Sequence, residues 1–188
     1  MKAAASVAGG ERLRLFCALR LPDDVVGRLV EWQRDALADV PNIRPLARDQ
    51  LHLTLAFLGS RPSHELERIA AALRDAVAGA ERPVLAVRGY RETRSVGMLV
   101  LEDADKRATK LAADLHERLE RLGLYEREAR RWLPHVTVLR FRKDRPRLAP
   151  PLPELGRFSP SDAAVYHSVL RPSGAQYAVL ESVRLGGR

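Results

Sequence analysis

With 188 residues, 46% of them hydrophobic and 30% charged, the chain has the size and composition of one domain able to bury its own core, which excludes a multidomain assembly and a disordered polymer. Its 32 Lys+Arg against 24 Asp+Glu leave a formal net charge of +8, which suits a polyanionic partner such as nucleic acid; but 28 of the cations are arginine, a bias that genome composition alone can produce, so charge by itself decides nothing. No run approaches the roughly 18 apolar residues of a membrane helix, the start of the chain lacks the apolar stretch of a secretory signal, and the single Cys17 can form no internal disulfide, so a cytoplasmic protein with no membrane association is expected.

The first predicted element is a strand over 13–19, where Leu13, Leu15, Cys17 and Leu19 alternate with Arg14, Phe16 and Ala18. Pro22, Asp23 and Asp24 then open a helix whose Val25, Val26, Leu29, Val30 and Leu37 recur at helical spacing up to Pro41. Segment 43–47 carries only a weak signal. The apolar run 51–58 reads as a strand that stops at Gly59, with turn formers behind it. Ser63 is placed to cap a second helix that presents Leu66, Ile69, Leu73 and Val77 on one face and ends at Gly79. Strands over 84–88 and 98–101 follow. A third helix starts near Asp103 or Asp105, turns Leu111, Leu115, Leu119 and Leu122 to the core, and stops at Gly123. The last strands span 135–139, 163–170 and 176–185, and the proline-rich segment 142–160 reads as an extended, charged loop. No Gly/Ser linker divides the chain.

Two of these strands repeat one pattern. Leu51-His52-Leu53-Thr54-Leu55 and Pro134-His135-Val136-Thr137-Val138 both read apolar, His, apolar, Thr, apolar, 83 positions apart. Residues i and i+2 of a strand share a face, so each segment presents an imidazole beside a hydroxyl while its aliphatic residues face the other way. One such pair is most often scaffold. Two, in a chain with only 5 histidines, are better explained by a duplicated unit that sets two imidazoles across one cleft. Such a pair suits acid–base chemistry at phosphorus, because a group with a pKa of about 6.5 can be neutral in one copy and protonated in the other near neutral pH. Threonine hydroxyls can donate to the non-bridging phosphate oxygens. No H-E-x-x-H, Asp-x-Asp pair or Cys/His cluster offers a metal site, and no glycine-rich phosphate loop is present, so no metal and no cofactor are expected.

These residues resemble the 2H phosphoesterases, named for two H-x-T/S motifs, and within them the RNA 2′,3′-cyclic phosphodiesterases, also called 2′-5′ RNA ligases. The likeness runs from about Leu13 to Leu185. It rests on Arg14-Leu15-Phe16-Cys17-Ala18-Leu19, on His52 to Gly59 with Phe57, on His135 to Arg140, and on Val165-Tyr166-His167-Ser168-Val169-Leu170 with Gly174 and Tyr177 following. The resemblance implies an α+β fold of two pseudo-symmetric lobes of antiparallel sheet backed by helices, with the motifs facing each other in a central cleft. Residues 11–188 then form one bilobal domain behind a flexible extension over 1–10. It further implies that His52 protonates the leaving 3′ oxygen, that His135 activates water, and that Thr54 and Thr137 hold the phosphate. The reaction implied opens a 2′,3′-cyclic phosphate at an RNA end to a 2′-phosphate, with 2′-5′ joining as a side activity. The protein is expected to act as a monomer.

Arg140 stands five residues after His135, where strict alternation puts it on the opposite face unless a bulge turns it back. Arg94 is a weaker substrate candidate. Trp132 and Phe57 are candidates to stack a base, although an aromatic within an apolar strand such as Phe57 is more commonly interior. His64 and His116 read as solvated, His167 as lying outside the cleft, and Cys17 as a core residue. Two other readings share the same residues: an RNA-binding module that has lost catalysis, which the intact histidines and threonines oppose, and a phosphodiesterase for a small cyclic nucleotide.

Overall fold

A computed structural model describes residues 10–142, 147–172 and 174–186. The predicted N-terminal extension lies, apart from Gly10, outside the described residues. Strand β1 (Arg12–Arg20) is apolar almost throughout because both its faces are covered: Leu13, Leu15, Cys17 and Leu19 enter the main core, while Phe16 and Ala18 belong to a smaller cluster with Ala164 and Tyr166 on the other side. Helix α1 (Asp23–Leu37) sets Asp23 and Asp24 against its positive end and buries Val25, Val26, Leu29 and Leu37. It also buries Gln33, whose amide donates to the carbonyls of Val138 at 2.6 Å and Leu46 at 3.2 Å. There follow β2 (Ile43–Pro45), a 3-10 turn (Arg48–Gln50), β3 (His52–Pro62), a second 3-10 turn (Ser63–Glu65), α2 (Leu66–Ala78), β4 (Leu85–Glu92), β5 (Val96–Asp103), α3 (Arg107–Arg121), β6 (His135–Phe141), β7 (Asp162–Arg171) and β8 (Gly174–Arg184). Among the described residues no helix is long and apolar enough to cross a membrane.

The eight strands form one sheet in the order β4-β5-β6-β3-β1-β7-β8, with β2 also pairing with β6, and every pairing is antiparallel. The two expected lobes are halves of this sheet, joined where β3 meets β6 through the single pair Leu53↔Val136. The helices cover one face. The other is concave. Gln50, just before β3, donates to the Ala175 carbonyl on β8, and the Arg44 guanidinium of β2 fills the place where a Cβ on Gly174 would lie. Contacts between strands so far apart in the pairing order require the sheet to curl.

Four local expectations are corrected. β3 does not stop at Gly59 but passes through it to Pro62; with φ at +68°, Gly59 supplies a bulge rather than an end. Ser63 makes no side-chain cap; 63–65 is a 3-10 turn anchored by the Ser63 amide on the Glu11 carbonyl at 2.9 Å. Leu122 is 37% exposed, because α3 ends in a Schellman turn: the amides of Leu124 and Gly123 reach back to the carbonyls of Leu119 and Glu120, each at 2.9 Å. That reversal seats Leu124 in the core instead. His116 is buried rather than solvated, with Nε2 donating to the Leu55 carbonyl at 2.7 Å and the ring stacked on Tyr125, so it ties α3 to β3. The start of α3 agrees with its acidic signal, since the Asp103 carboxylate accepts from the amides of Ala108 and Thr109.

Candidate active site

His52 and His135 each open a strand, and the two strands then run through the same sequence of environments: half-buried His, buried apolar residue, half-buried Thr, and two buried apolar residues. Because Leu53 pairs with Val136, antiparallel register sets His52 opposite Thr137 and Thr54 opposite His135. The four side chains therefore occupy one face, related by a pseudo-two-fold axis through the Leu53–Val136 pair. Directly opposed Cβ atoms on such a face are ~4.5–5.5 Å apart and diagonal neighbours ~7–8 Å, so the two imidazoles flank a space the size of a phosphate group.

Consecutive buried residues mark a bulge in each strand. Leu55 and Ala56 both enter the core, as do Val138 and Leu139, and the pairings shift at those points against β1 and β5. Each bulge returns the fifth residue after the histidine to the concave face. Arg140 is thereby exposed on the same face as His135 and Thr137, which strict alternation denies it. Its counterpart is Phe57, 48% exposed, with the Arg14 guanidinium 4.8 Å from its ring centre. Phe57 is therefore not interior.

The imidazoles differ in their surroundings. His135 Nδ1 lies 2.8 Å from the Leu133 carbonyl; a carbonyl only accepts, so Nδ1 carries hydrogen and the neutral ring keeps its lone pair on Nε2. His52 is packed among aromatic rings, with centroids 4.9 Å from Phe16, 5.9 Å from Tyr166 and 5.4 Å from Tyr177. Its Nδ1 is buried without a hydrogen-bond partner, which leaves Nε2 as the nitrogen open to the cleft. This burial lowers the His52 pKa from 6.5 to about 4; the nearby Gln50 carbonyl opposes the shift without completing a bond to Nδ1, and His135 adds to it. His52 is thus neutral near pH 7, and its aromatic surroundings set it apart from His135, which the sequence treats alike. Nothing in the two motifs marks this aromatic nest. The available signal was the spacing of Phe16 on the cleft side of β1, with Tyr166 and Tyr177 near the end of the chain.

Around this centre, Ala18 pairs with Thr54 and Arg20 with His52, and Arg20 is taken up by Asp162 at 3.0 Å. Neither threonine hydroxyl is engaged by another group among the described residues. Trp132 is half-buried and donates to the Thr54 carbonyl at 3.1 Å, so it buttresses the strand. Arg94 lies in the turn between β4 and β5, His64 is exposed, and His167 pairs with Leu15 on the helix side of the sheet. Burial pushes the Cys17 thiol up to about 12, which suits an inert core residue. Among the described residues no group of three His, Cys, Asp or Glu side chains is disposed to hold a metal ion.

A family model described as the 2′-5′ RNA ligase superfamily matches residues 21–175, which include both motifs. The chain belongs to the 2′-5′ RNA ligase superfamily. The resemblance carried by the two His-x-Thr segments is thereby borne out. An RNA 2′,3′-cyclic phosphodiesterase of Thermus thermophilus is 34% identical over 186 residues, covering 93% of this chain and 91% of the relative. A protein of the same name from Methanothermobacter thermautotrophicus is 28% identical over 188 residues, covering 93% of this chain and 100% of its own. Among solved structures, TT0787 of Thermus thermophilus superposes with a TM-score of 0.80 at 30% identity, and Escherichia coli LigT complexed with 3′-AMP with 0.77 at 25%; each comparison covers 93% of this chain and 99% of the other. The chain thus shares its curled antiparallel sheet and helices with both of these structures.

Proposed function

We propose that the protein hydrolyses 2′,3′-cyclic phosphate termini of RNA to 2′-phosphates without a metal ion. The observation that carries this reading is the placing of two imidazoles and two hydroxyls on one sheet face about a pseudo-two-fold axis. His135 Nε2 takes a proton from water as its oxygen bonds to phosphorus. The P–O3′ bond breaks, and His52 gives its proton to O3′. His52 acquires that proton when the anionic phosphate enters, since a negative charge beside a buried imidazole favours the charged ring. Thr54 and Thr137 donate to the non-bridging oxygens, and Arg140 offsets charge that builds up on them. Each proton transfer and each anion contact has a protein group assigned to it, which is why no metal is invoked.

Phe57 offers an exposed ring for a base to stack on. A 5′-hydroxyl in the place of water, handled by the same two proton transfers, gives a 2′-5′ linkage. The whole His/Thr set comes from one chain, which supports action as a monomer. The names carried by the relatives favour an RNA terminus over a small cyclic nucleotide as substrate. The test is turnover of an oligonucleotide ending in a 2′,3′-cyclic phosphate after thorough chelation with EDTA. Activity should persist; its loss, with recovery on adding zinc or manganese, would overturn the metal-free scheme.

A further inference from the structure

Among the described residues, His52 Nδ1 is the one buried side-chain nitrogen or oxygen without a hydrogen-bond partner. A buried polar atom left open is costly, and this one belongs to the group that carries the proton to O3′. To give that proton from Nε2, the ring must first hold hydrogen on both nitrogens. Nδ1–H then needs an acceptor, whereas Phe16, Tyr166 and Tyr177 present the faces and edges of their rings to His52.

The pseudo-two-fold axis shows where that acceptor lies. His135 closes Nδ1 on the carbonyl of Leu133, two residues before it, at 2.8 Å. The residue in the same place before His52 is Gln50, whose carbonyl favours the charged ring. The Gln50 side chain is buried and fastened at both polar atoms. Its Oε1 accepts from the Ala47 amide at 3.3 Å, closing the 3-10 turn alongside the Gln50 amide on the Ala47 carbonyl at 2.9 Å. Its Nε2 donates to the Ala175 carbonyl on β8. Two residues further along β8, the Tyr177 ring packs edge-on against His52. One strand therefore supplies both a wall of the dry pocket and the anchor of the residue whose carbonyl stands beside it.

We propose that Gln50 is a positioning residue for the general acid: fixed on β8 by its amide, it holds its main-chain carbonyl where His52 Nδ1–H docks when the ring takes up its second proton. This rests on the reading that phosphate entering the His/Thr face protonates His52. The bond turns Nε2 toward the leaving oxygen. Once Nε2 has given its proton, the neutral ring keeps hydrogen on Nδ1, the tautomer that His135 already has.

The other groups around the ring are Arg20, opposite it on β1 and paired with Asp162 of β7, then His135 and Thr137 of β6, and Tyr166 and Tyr177. In the preceding turn Arg48 and Asp49 are exposed, with Arg48 on Asp23. Gln50→Met keeps all of these and the length of the side chain, and removes both amide bonds.

The test is ¹H–¹⁵N NMR of the histidine rings in wild type and Gln50→Met, free and saturated with a nucleoside 2′-monophosphate. On binding, the wild-type ring should gain its second proton and show a trans-hydrogen-bond coupling from Nδ1 to the Gln50 carbonyl carbon. Gln50→Met should lower the His52 midpoint in the complex by about one pH unit, a tenfold loss of the charged ring, and leave His135 where it was. In the free variant the midpoint should fall below the wild-type value of about 4. The sign separates positioning from packing, because a substitution that merely loosens the pocket admits water and lifts the midpoint toward 6.5. An unchanged or raised midpoint overturns the proposal. So does a protonated wild-type ring without the coupling to Gln50, a measurement that needs no variant. A nucleotide that binds and leaves the wild-type ring neutral contradicts the catalytic reading instead, and the midpoint of the free ring then decides whether Gln50 positions it.

Discussion

Lowering the pH below 6.5 should destabilise the protein through His52, and Tyr177→Ala should relieve the effect. The folded ring is held at about 4 by burial among Phe16, Tyr166 and Tyr177, against 6.5 for a free imidazole. That gap corresponds to about 3 kcal/mol, a ceiling because part of the residue reaches the cleft and is screened by water. The unfolded chain takes up a proton as pH falls through 6.5 while the folded ring does not, so this group costs nothing above that pH. The loss accumulates between pH 6.5 and 4 and is complete below the folded value. Histidine-selective ¹H–¹⁵N NMR on the free protein should place the His52 midpoint near 4. Chemical denaturation across the same range measures the accompanying change in stability. Removing the half-buried Tyr177 ring admits water and should move the midpoint toward 6.5, and saturating nucleoside 2′-phosphate should also raise it. The sequence alone puts both limbs of the pH profile near 6 to 7, whereas this burial sends one limb of kcat/KM, which reports the free enzyme, toward about 4. A wild-type midpoint between 6 and 7, unmoved by Tyr177→Ala, would refute the reasoning.

His52→Ala and His135→Ala should each lower turnover by about 10²- to 10⁴-fold, and because the two act as one unit the double variant should be little worse than the weaker single, as single-turnover rates will show. A single variant that stays folded and near normal would return its histidine to the scaffold. Thr137→Val keeps the side-chain shape and removes only the hydroxyl, so kcat should drop by about 10²- to 10³-fold, while Arg140→Ala should raise KM or lower kcat without changing the melting temperature. Gln33→Leu leaves the buried Leu46 carbonyl without its donor and the Val138 carbonyl with only the Leu46 amide, and should cost about 1–3 kcal/mol in denaturant titrations, with KM unaltered.

The helices and most strands were legible because their apolar residues recur at the period of the element, as in Leu111, Leu115 and Leu119 of α3. The His-x-Thr repeat gave the centre of the site for a related reason: a two-residue spacing fixes a shared strand face before any fold is known. What period-two reasoning missed came from its interruptions. The extra residues at Leu55 and Val138 carry Phe57 and Arg140 to the cleft, and a bulge leaves no mark in an apolar run. Leu122 and Leu124 exchanged places because the Schellman turn reverses the chain after the last helical residue. The aromatic enclosure of His52 depends on β7 and β8 curling back to β3, a long-range property of the whole sheet.

The central claim, that paired imidazoles open a cyclic phosphate by displacing the 3′ oxygen, is tested most directly by where the phosphate ends. An RNA oligonucleotide with a 2′,3′-cyclic phosphate terminus, turned over in EDTA in H₂¹⁸O, is followed by ³¹P NMR and mass spectrometry. The account predicts a 2′-phosphate carrying one ¹⁸O, with no product from His52→Ala or His135→Ala on the same timescale. A 3′-phosphate, or a 2′-phosphate formed equally well by both histidine variants, would contradict it.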